Sequence, residues 1–250
     1  MPILEGNGVT KHFAGLVALQ SVDFQVKKGE IVGLIGPNGA GKTTLVNLVA
    51  GMLPMTKGDV RFRGRSLRGA RPYEIGRMGV SRTFQIVKPF PGLTVLENVT
   101  VGALYGRRGK TDVATARRIA REKLEFVGLA GKEEQPADTL TIADRKKLEL
   151  AKALAMEPEV LLLDEVMAGL NPVEVKEAVD LVREVRGSGV SILMIEHVMK
   201  AIQNLSDRII VLHHGQKIAD GEPGDVLSDG AVIRAYLGRR YAGGGQRANA

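Results

Sequence analysis

The sequence of 250 residues has no cysteine and only four histidines. Without cysteine there are no disulfide bonds and no thiolate ligands for a metal, as is usual in a reducing compartment. So few histidines disfavour a dedicated zinc site. No apolar run free of charged residues is long enough to span a bilayer, and the start, Met1–Glu5, lacks the basic residues of a signal peptide. We therefore expect a cytoplasmic protein.

Apolar residues make up 44% of the sequence and charged residues 25%, close to the mixture of an ordinary globular protein. This composition excludes a disordered chain and a collagen-like repeat. The net charge is +7. Arginines are concentrated in one segment: Arg61, Arg63, Arg65, Arg68, Arg71, Arg77 and Arg82. A phosphate-rich partner is one explanation of this cluster, but a solvated face is the more ordinary one, and we expect no nucleic-acid partner.

Short apolar runs predict the strands of a buried parallel sheet: Ile31–Ile35, Val160–Leu163 and Val190–Ile195. Each run is rich in leucine or β-branched residues and is too short for an amphipathic helix. A further strand is predicted over Arg208–Leu212, followed by a hairpin turn at His214-Gly215. Between strands lie helical patterns, one of which begins at Asn171-Pro172. This alternation predicts an α/β fold.

The middle of the sequence, from about residue 89 to residue 156, has helical periodicity. The predicted helices are Glu97–Leu104, Asp112–Val127 and Arg145–Met156. We interpret residues 89–156 as a helical subdomain inserted between the two parts of the core, 1–88 and 157–241. Residues 242–250 are expected to form a flexible tail, because they have nothing to bury.

Residues 36–43, Gly-Pro-Asn-Gly-Ala-Gly-Lys-Thr, match the phosphate-binding pattern G-x-x-x-x-G-K-[ST] between a predicted strand and a predicted helix. Glycines let backbone N–H groups turn towards a phosphate, and the helix N-terminus adds partial positive charge. Lys42 is expected to contact the β- and γ-phosphates, and the Thr43 hydroxyl to ligate Mg²⁺. The candidate nucleotide-binding residues are Gly36, Asn38, Gly39, Ala40, Gly41, Lys42, Thr43 and Thr44.

Two carboxylates follow the predicted strand Val160–Leu163. Asp164 and Glu165 therefore stand at the carboxyl end of a parallel strand, where α/β sheets bind ligands. Asp164 is predicted to hold Mg²⁺ through water, and Glu165 to polarise the attacking water as a general base. The alternative is that one of them only caps the next helix. Beside the phosphate loop the catalytic interpretation is favoured, and the two motifs together predict an NTPase.

The order of these motifs resembles that of an ABC-type ATP-binding cassette, over essentially the whole chain. The resemblance implies a P-loop NTPase core with a mixed, mainly parallel sheet, an N-terminal antiparallel β part and an inserted helical subdomain, with ATP and Mg²⁺ as cofactors. Gln85 resembles the Q-loop glutamine that contacts Mg²⁺ and water, and His197 the switch histidine that contacts the γ-phosphate. Phe13 stands where the family has an aromatic residue for adenine stacking, although an ordinary core role is the alternative.

The family's signature loop, Leu-Ser-Gly-Gly-Gln, reads Leu-Thr-Ile-Ala-Asp in this chain, at residues 140–144. By resemblance, Thr141 keeps a hydroxyl for the γ-phosphate. Ala143 replaces a glycine whose amide approaches phosphate without steric cost. Asp144 brings a carboxylate near an anionic ligand, which is unfavourable unless a cation such as Arg145 screens it.

The resemblance further implies that ATP lies between the phosphate loop of one subunit and the signature loop of another. The D-loop also departs from the family, since it ends in Asn171 where aspartate is common. We therefore expect this chain to form a dimer of cassettes and to work best opposite a different subunit that carries an ordinary signature loop.

Three segments resemble the ATPases of branched-chain amino-acid importers: 143–150, 164–172 and 232–238. The resemblance implies that the chain is peripheral on the inner face of the cell membrane, bound to permease subunits that receive the solute from an external solute-binding protein. Because the ATPase does not touch the cargo, importers of urea, other amides or other amino acids are alternatives.

Two further functions are compatible with the motifs. A soluble ABC ATPase that acts on nucleic acid is disfavoured, because the chain has neither a second cassette nor a long coiled-coil insert. A hydrolytically idle nucleotide-binding partner is supported by the altered signature loop. It is opposed by the presence of Lys42, Asp164, Glu165 and His197.

Overall fold

The computed structural model describes residues 1–84, 89–107, 109 and 111–237. Within these ranges the strands are β1 Pro2–Phe13, β2 Leu16–Lys27, β3 Ile31–Ile35, β4 Lys57–Phe62, β5 Arg65–Ser66, β6 Val80–Arg82, β7 Val160–Asp164, β8 Ser191–Ile195, β9 Arg208–His213 and β10 Gln216–Gly221. The α-helices are α1 Lys42–Val49, α2 Pro72–Met78, α3 Val95–Tyr105, α4 Val113–Phe126, α5 Ile142–Ala155, α6 Pro172–Gly187, α7 Met199–Leu205, α8 Pro223–Ser228 and α9 Gly230–Leu237. A 3₁₀ turn spans Ala137–Thr139.

The central sheet has the strand order β10-β9-β3-β8-β7-β6 and is parallel apart from the β9–β10 hairpin. Strands β3, β7 and β8 are buried along their whole length, as their near-continuous apolar sequences predicted. Register pairs Ile195 with both Leu34 and Asp164. The segments that follow β3, β7 and β8 therefore emerge side by side at one edge of the sheet.

The second sheet is antiparallel, in the order β2-β1-β4-β5. Alternate side chains of β3 divide the core into two clusters. Ile31 and Ile35 belong to the cluster with the helices of the insert, whereas Val32 and Leu34 pack with α1 and the antiparallel sheet. The α/β fold with a mixed, mainly parallel sheet and an N-terminal antiparallel part, predicted above, is confirmed.

Helices α3, α4 and α5 follow β6 and precede β7 in the sequence. They pack against one another. The predicted starts of two of them were too late, because their N-caps were not recognised. Helix α3 begins after Thr94, which forms a capping box with Glu97, and α5 begins after Thr141 rather than at Arg145.

Over the described ranges, we find no helix with the length and apolar character needed to cross a membrane. Gln85 and the predicted tail, 242–250, lie outside the described residues.

Candidate functional site

The loop between β3 and α1 has the backbone of a phosphate cradle. Gly36 and Gly41 have φ angles of 149° and 103°. A Cβ atom at Gly36 would lie 2.1 Å from the carbonyl oxygen of Leu212, and one at Gly41 would lie 2.7 Å from that of Ala18. Glycine is therefore required at both positions, where neighbouring backbone comes too close for a side chain.

Lys42 is held inside this loop and is 6% exposed. Its Nζ donates to the carbonyl oxygens of Gly36 at 2.6 Å and Pro37 at 3.0 Å. Burial lowers the pKa of Lys42, and the negative charges of Glu165 and Asp164 partly oppose this effect. The ammonium group is thus fixed between the loop backbone and the two carboxylates.

Asp164 is 1% exposed and forms a buried ion pair that the sequence did not reveal. Its Oδ2 accepts a hydrogen bond from Nη2 of Arg82 at 2.6 Å. Arg82 also donates to Asn47 on α1, so it joins the helix after the phosphate loop to the end of β7. Among the described residues, Oδ1 of Asp164 has no hydrogen-bond partner.

Glu165 and His197 meet at the sheet edge, with 2.7 Å between Oε1 and Nε2. Glu165 has a left-handed backbone, with φ of 52°, and its amide donates to Ile195 at 2.9 Å. The alternative role as a helix cap is wrong, since the side chain of Asn171 caps α6. The predicted base and the predicted switch histidine are therefore in direct contact.

Two more charged residues surround Glu165 and were missed from the sequence. Lys146 on α5 donates from Nζ to the backbone oxygen of Glu165 at 2.8 Å. Glu196 is 1% exposed, and its Oε1 accepts from the amide of Met167 at 2.8 Å. Burial raises the pKa of Glu196 to about 7, against the opposing effects of backbone hydrogen bonds and the charge of Lys146.

A pocket of about 450 Å³ joins the phosphate loop to Glu165 and His197. Its residues are Phe13, Leu16, Val17, Ala18, Asn38, Gly39, Ala40, Gly41, Lys42, Thr43, Thr44, Glu165 and His197. Phe13 is 40% exposed, so its interpretation as a core residue is wrong. Nζ of Lys11 lies 4.8 Å from the centre of the Phe13 ring. The pocket thus combines an apolar wall, a cationic loop and an acidic end.

The signature segment does not line this pocket. Thr141 caps α5: its Oγ1 accepts from the amide of Asp144 at 3.2 Å and donates to Asp144 Oδ2 at 2.9 Å. The cation at Asp144 is Lys132, 2.7 Å away. The expectation that Arg145 screens Asp144 is wrong, because its guanidinium donates to the carbonyl oxygen of Asp138.

Asp144 is consequently well compensated within its own chain. Partial burial pushes its pKa upwards, but hydrogen bonds from Lys132 and Thr141 and the charges of Lys132 and Lys147 outweigh that effect, so the pKa is lowered. The side chain therefore keeps its negative charge.

Comparison with known proteins identifies the family. Residues 19–168, more than half of the chain, match the profile of the ABC transporter family. The chain belongs to the ABC transporter family. Residues 216–242 match a second profile, described as branched-chain amino acid ATP-binding cassette transporter. The family predicted from the order of the motifs is confirmed.

Similar ABC proteins extend over nearly the whole chain. The high-affinity branched-chain amino acid transport ATP-binding protein LivG of Salmonella typhimurium is 41% identical, over 95% of this chain and 98% of LivG. BraF of Pseudomonas aeruginosa, which has the same description, is 37% identical over the same shares. The crystal structure of a nucleotide-free ATP-binding cassette from an ABC transporter superposes with a TM-score of 0.86 and 31% identity, over 95% of this chain and all of that one.

Proposed function

We propose that this chain hydrolyses ATP to ADP and phosphate and thereby powers the import of branched-chain amino acids through an ABC transporter. One observation supports the chemistry above all: Glu165 and His197, bonded at 2.7 Å, share a pocket with the phosphate loop. The likeness to LivG and BraF and the match of residues 216–242 support the substrate class.

The phosphate loop and Lys42 would bind the β- and γ-phosphates, with the adenine against Phe13. Glu165 would orient the attacking water and accept its proton, and His197 would hold Glu165 and contact the γ-phosphate. In phosphoryl transfer most of the catalysis comes from such positioning and from charge neutralisation. Because Glu165 lies at a fixed backbone position, little reorganisation accompanies the reaction.

Mg²⁺ would bind at Thr43 and, through water, at Asp164, with Gln85 as a further ligand that lies outside the described residues. The donors are the oxygen ligands that Mg²⁺ prefers. Asp164 Oδ1 is buried without a partner among the described residues, and such an atom is rare unless an ion or water satisfies it. When bound, Mg²⁺ neutralises charge that develops on the phosphates.

Thr141 is proposed to contribute its hydroxyl to the γ-phosphate of ATP bound by a second cassette, the partner in a dimer.

We also propose that the chain lies on the inner face of the membrane, in contact with a permease. Two exposed aromatic residues support this contact. Phe84 and Phe90 lie on either side of residues 85–89 in the sequence and are 45% and 44% exposed. Each lies near a cation, Arg82 at 5.2 Å and Lys152 at 4.9 Å from the ring centre. Large exposed apolar groups of this kind are typical of protein interfaces.

The proposal is tested with the chain, its presumed permeases and their solute-binding protein reconstituted in liposomes. We expect uptake of labelled leucine that requires ATP inside the vesicles and stops with Glu165→Gln. Uptake of urea or another amide, with no leucine uptake, would show that the solute is wrong. Full ATPase activity of Glu165→Gln would show that the base is wrong.

A further inference from the structure

The phosphate loop is held at both ends by residues that follow β9. The amide of Gly36, the first residue of the loop, donates to Oη of Tyr236 at 2.7 Å. Near the other end, the carbonyl oxygen of Ala40 accepts from the amide of Gly215 at 3.1 Å. Gly215 lies in the β9–β10 turn and Tyr236 on α9, so one C-terminal segment reaches the loop twice. We call residues 214–237 the C-terminal brace.

The hydroxyl of Tyr236 accepts a hydrogen bond from a buried backbone amide, that of Gly36. Gly36 is buried, and it follows Ile35, the last residue of β3 that pairs with β9. A buried amide without a hydrogen bond is costly, so the Tyr236 hydroxyl stabilises the loop at the point where the sheet no longer does. Burial raises the pKa of Tyr236, against the hydrogen bond from Gly36, so the hydroxyl stays neutral.

The same residue connects Tyr236 to the cation of the loop. While the amide of Gly36 donates to Tyr236, its carbonyl oxygen accepts from Nζ of Lys42 at 2.6 Å. A shift of Gly36 would therefore move the group against which Lys42 is fixed. Two hydrogen bonds therefore link the hydroxyl of Tyr236 to Lys42, the residue that would contact the phosphates.

The rest of the brace fixes Tyr236 in place. Val232, one helical turn before Tyr236, is 2% exposed in the main core cluster, and Val226 on α8 is 4% exposed in the same cluster. Residues four apart lie on one face of a helix, so burial of Val232 places Tyr236 on the same side of α9, where its hydroxyl reaches Gly36 while the residue stays 41% exposed. The side chain of Asp229 accepts from the amide of Ala231 at 2.6 Å at the start of α9.

We propose that the C-terminal brace positions the phosphate loop for nucleotide, with Tyr236 as the positioning residue. This inference rests on the proposed function only in that the loop binds ATP. It gives a role to the segment that matches its own family profile, 216–242, which contributes no group to the proposed chemistry.

The test compares Tyr236→Phe with wild type in the complete transporter complex. Removing one hydroxyl keeps the aromatic ring, so the chain is expected to fold. Its melting temperature should fall by only a few degrees, because the buried amide of Gly36 loses its partner. We expect the KM for ATP and the Kd for ADP to rise about fivefold, the effect of one hydrogen bond, with kcat within twofold. Tyr73→Phe, on α2 and 52% exposed, is the matched control and should change neither constant.

A second variant tests the brace independently of the hydroxyl. Val232→Ala loosens the docking of α9 and should raise the KM for ATP in the same direction, with nearly unchanged kcat. A KM for Tyr236→Phe equal to that of wild type, or an equal fall in kcat and in kcat/KM, would overturn the inference. Wild-type protein that binds no ATP would overturn the proposed function as well, so the two failures are distinguishable.

Discussion

Nζ of Lys146 donates a hydrogen bond of 2.8 Å to the backbone carbonyl of Glu165. Lys146 belongs to α5, two residues after the signature segment 140–144, whereas Glu165 follows β7. The bond therefore runs from the helical insert to the residue that we propose as the general base. It also supports the left-handed backbone of Glu165, a conformation that costs free energy for a residue with a side chain.

Replacing Lys146 with methionine should lower kcat about tenfold, because a charged hydrogen bond that orients Glu165 is lost. ATP affinity should not change. Lys146→Arg, which keeps a donor and a charge, should recover part of the activity. The control is Lys147→Met, since Lys147 instead pairs with the exposed Glu177 at 3.1 Å. Steady-state ATPase assays and nucleotide titrations separate the cases; wild-type kcat in Lys146→Met would contradict this role.

Glu165→Gln should slow ATP hydrolysis by about 10²–10⁴-fold, the usual contribution of a general base, while ATP binding is largely retained. Lys42→Ala should instead weaken nucleotide binding, because the cation that contacts the phosphates is lost. Single-turnover hydrolysis and calorimetric titration of both variants measure the two effects. A Lys42→Ala protein with unchanged affinity would show that the loop does not bind phosphate as proposed.

Breaking the buried ion pair of Arg82 and Asp164 should lower the free energy of unfolding more than breaking a surface pair does. The side chains are 9% and 1% exposed, so Arg82→Met leaves a buried charge without a partner. We expect the free energy of unfolding in urea to fall by about 3–5 kcal/mol. Arg61→Met, which breaks the exposed pair with Asp59, should cost less than about 1 kcal/mol. Equal losses from the two variants would be inconsistent with this account.

Glu196 should make stability depend on pH. Burial raises its pKa from the usual 4.5 to about 7 in the folded chain. Between these values the folded state binds the extra proton, so the contribution of Glu196 is complete below pH 4.5 and decreases until about pH 7. The variant Glu196→Gln has no carboxyl group to ionise at this position, so its stability does not fall in this way as the pH rises. Relative to wild type it should therefore gain roughly 2 kcal/mol between pH 5 and pH 8, measured by urea unfolding; parallel pH profiles would contradict the prediction.

The altered signature loop leads to a prediction about dimers of cassettes. The Thr141 hydroxyl is hydrogen-bonded to Asp144, whose carboxylate would approach the phosphates of a partner's ATP. If this chain pairs with a different cassette, the two ATP sites of the dimer should contribute unequally to ATPase turnover. Glu→Gln at the catalytic position of one subunit at a time should then reduce ATPase turnover by different factors, whereas equal losses would contradict the asymmetry.

Several parts of this molecule follow from short stretches of sequence. The phosphate loop and the buried strands β3, β7 and β8 were predicted because their patterns are contiguous and their chemistry is local. The start of α5 was misjudged because a threonine cap is a weak signal among polar residues. The cation at Asp144 was misassigned because Lys132 is twelve residues away in sequence and reaches it only through the packing of a loop.

Residue type and spacing are enough to predict the family, the phosphate loop and the pair of carboxylates. The side chains that surround these features follow instead from the packing of the folded chain. Arg82 lies 82 residues from Asp164, and Tyr236 lies 200 residues from Gly36. Such contacts depend on how the sheet and helices bring distant segments together, and burial then makes each of them costly to lose.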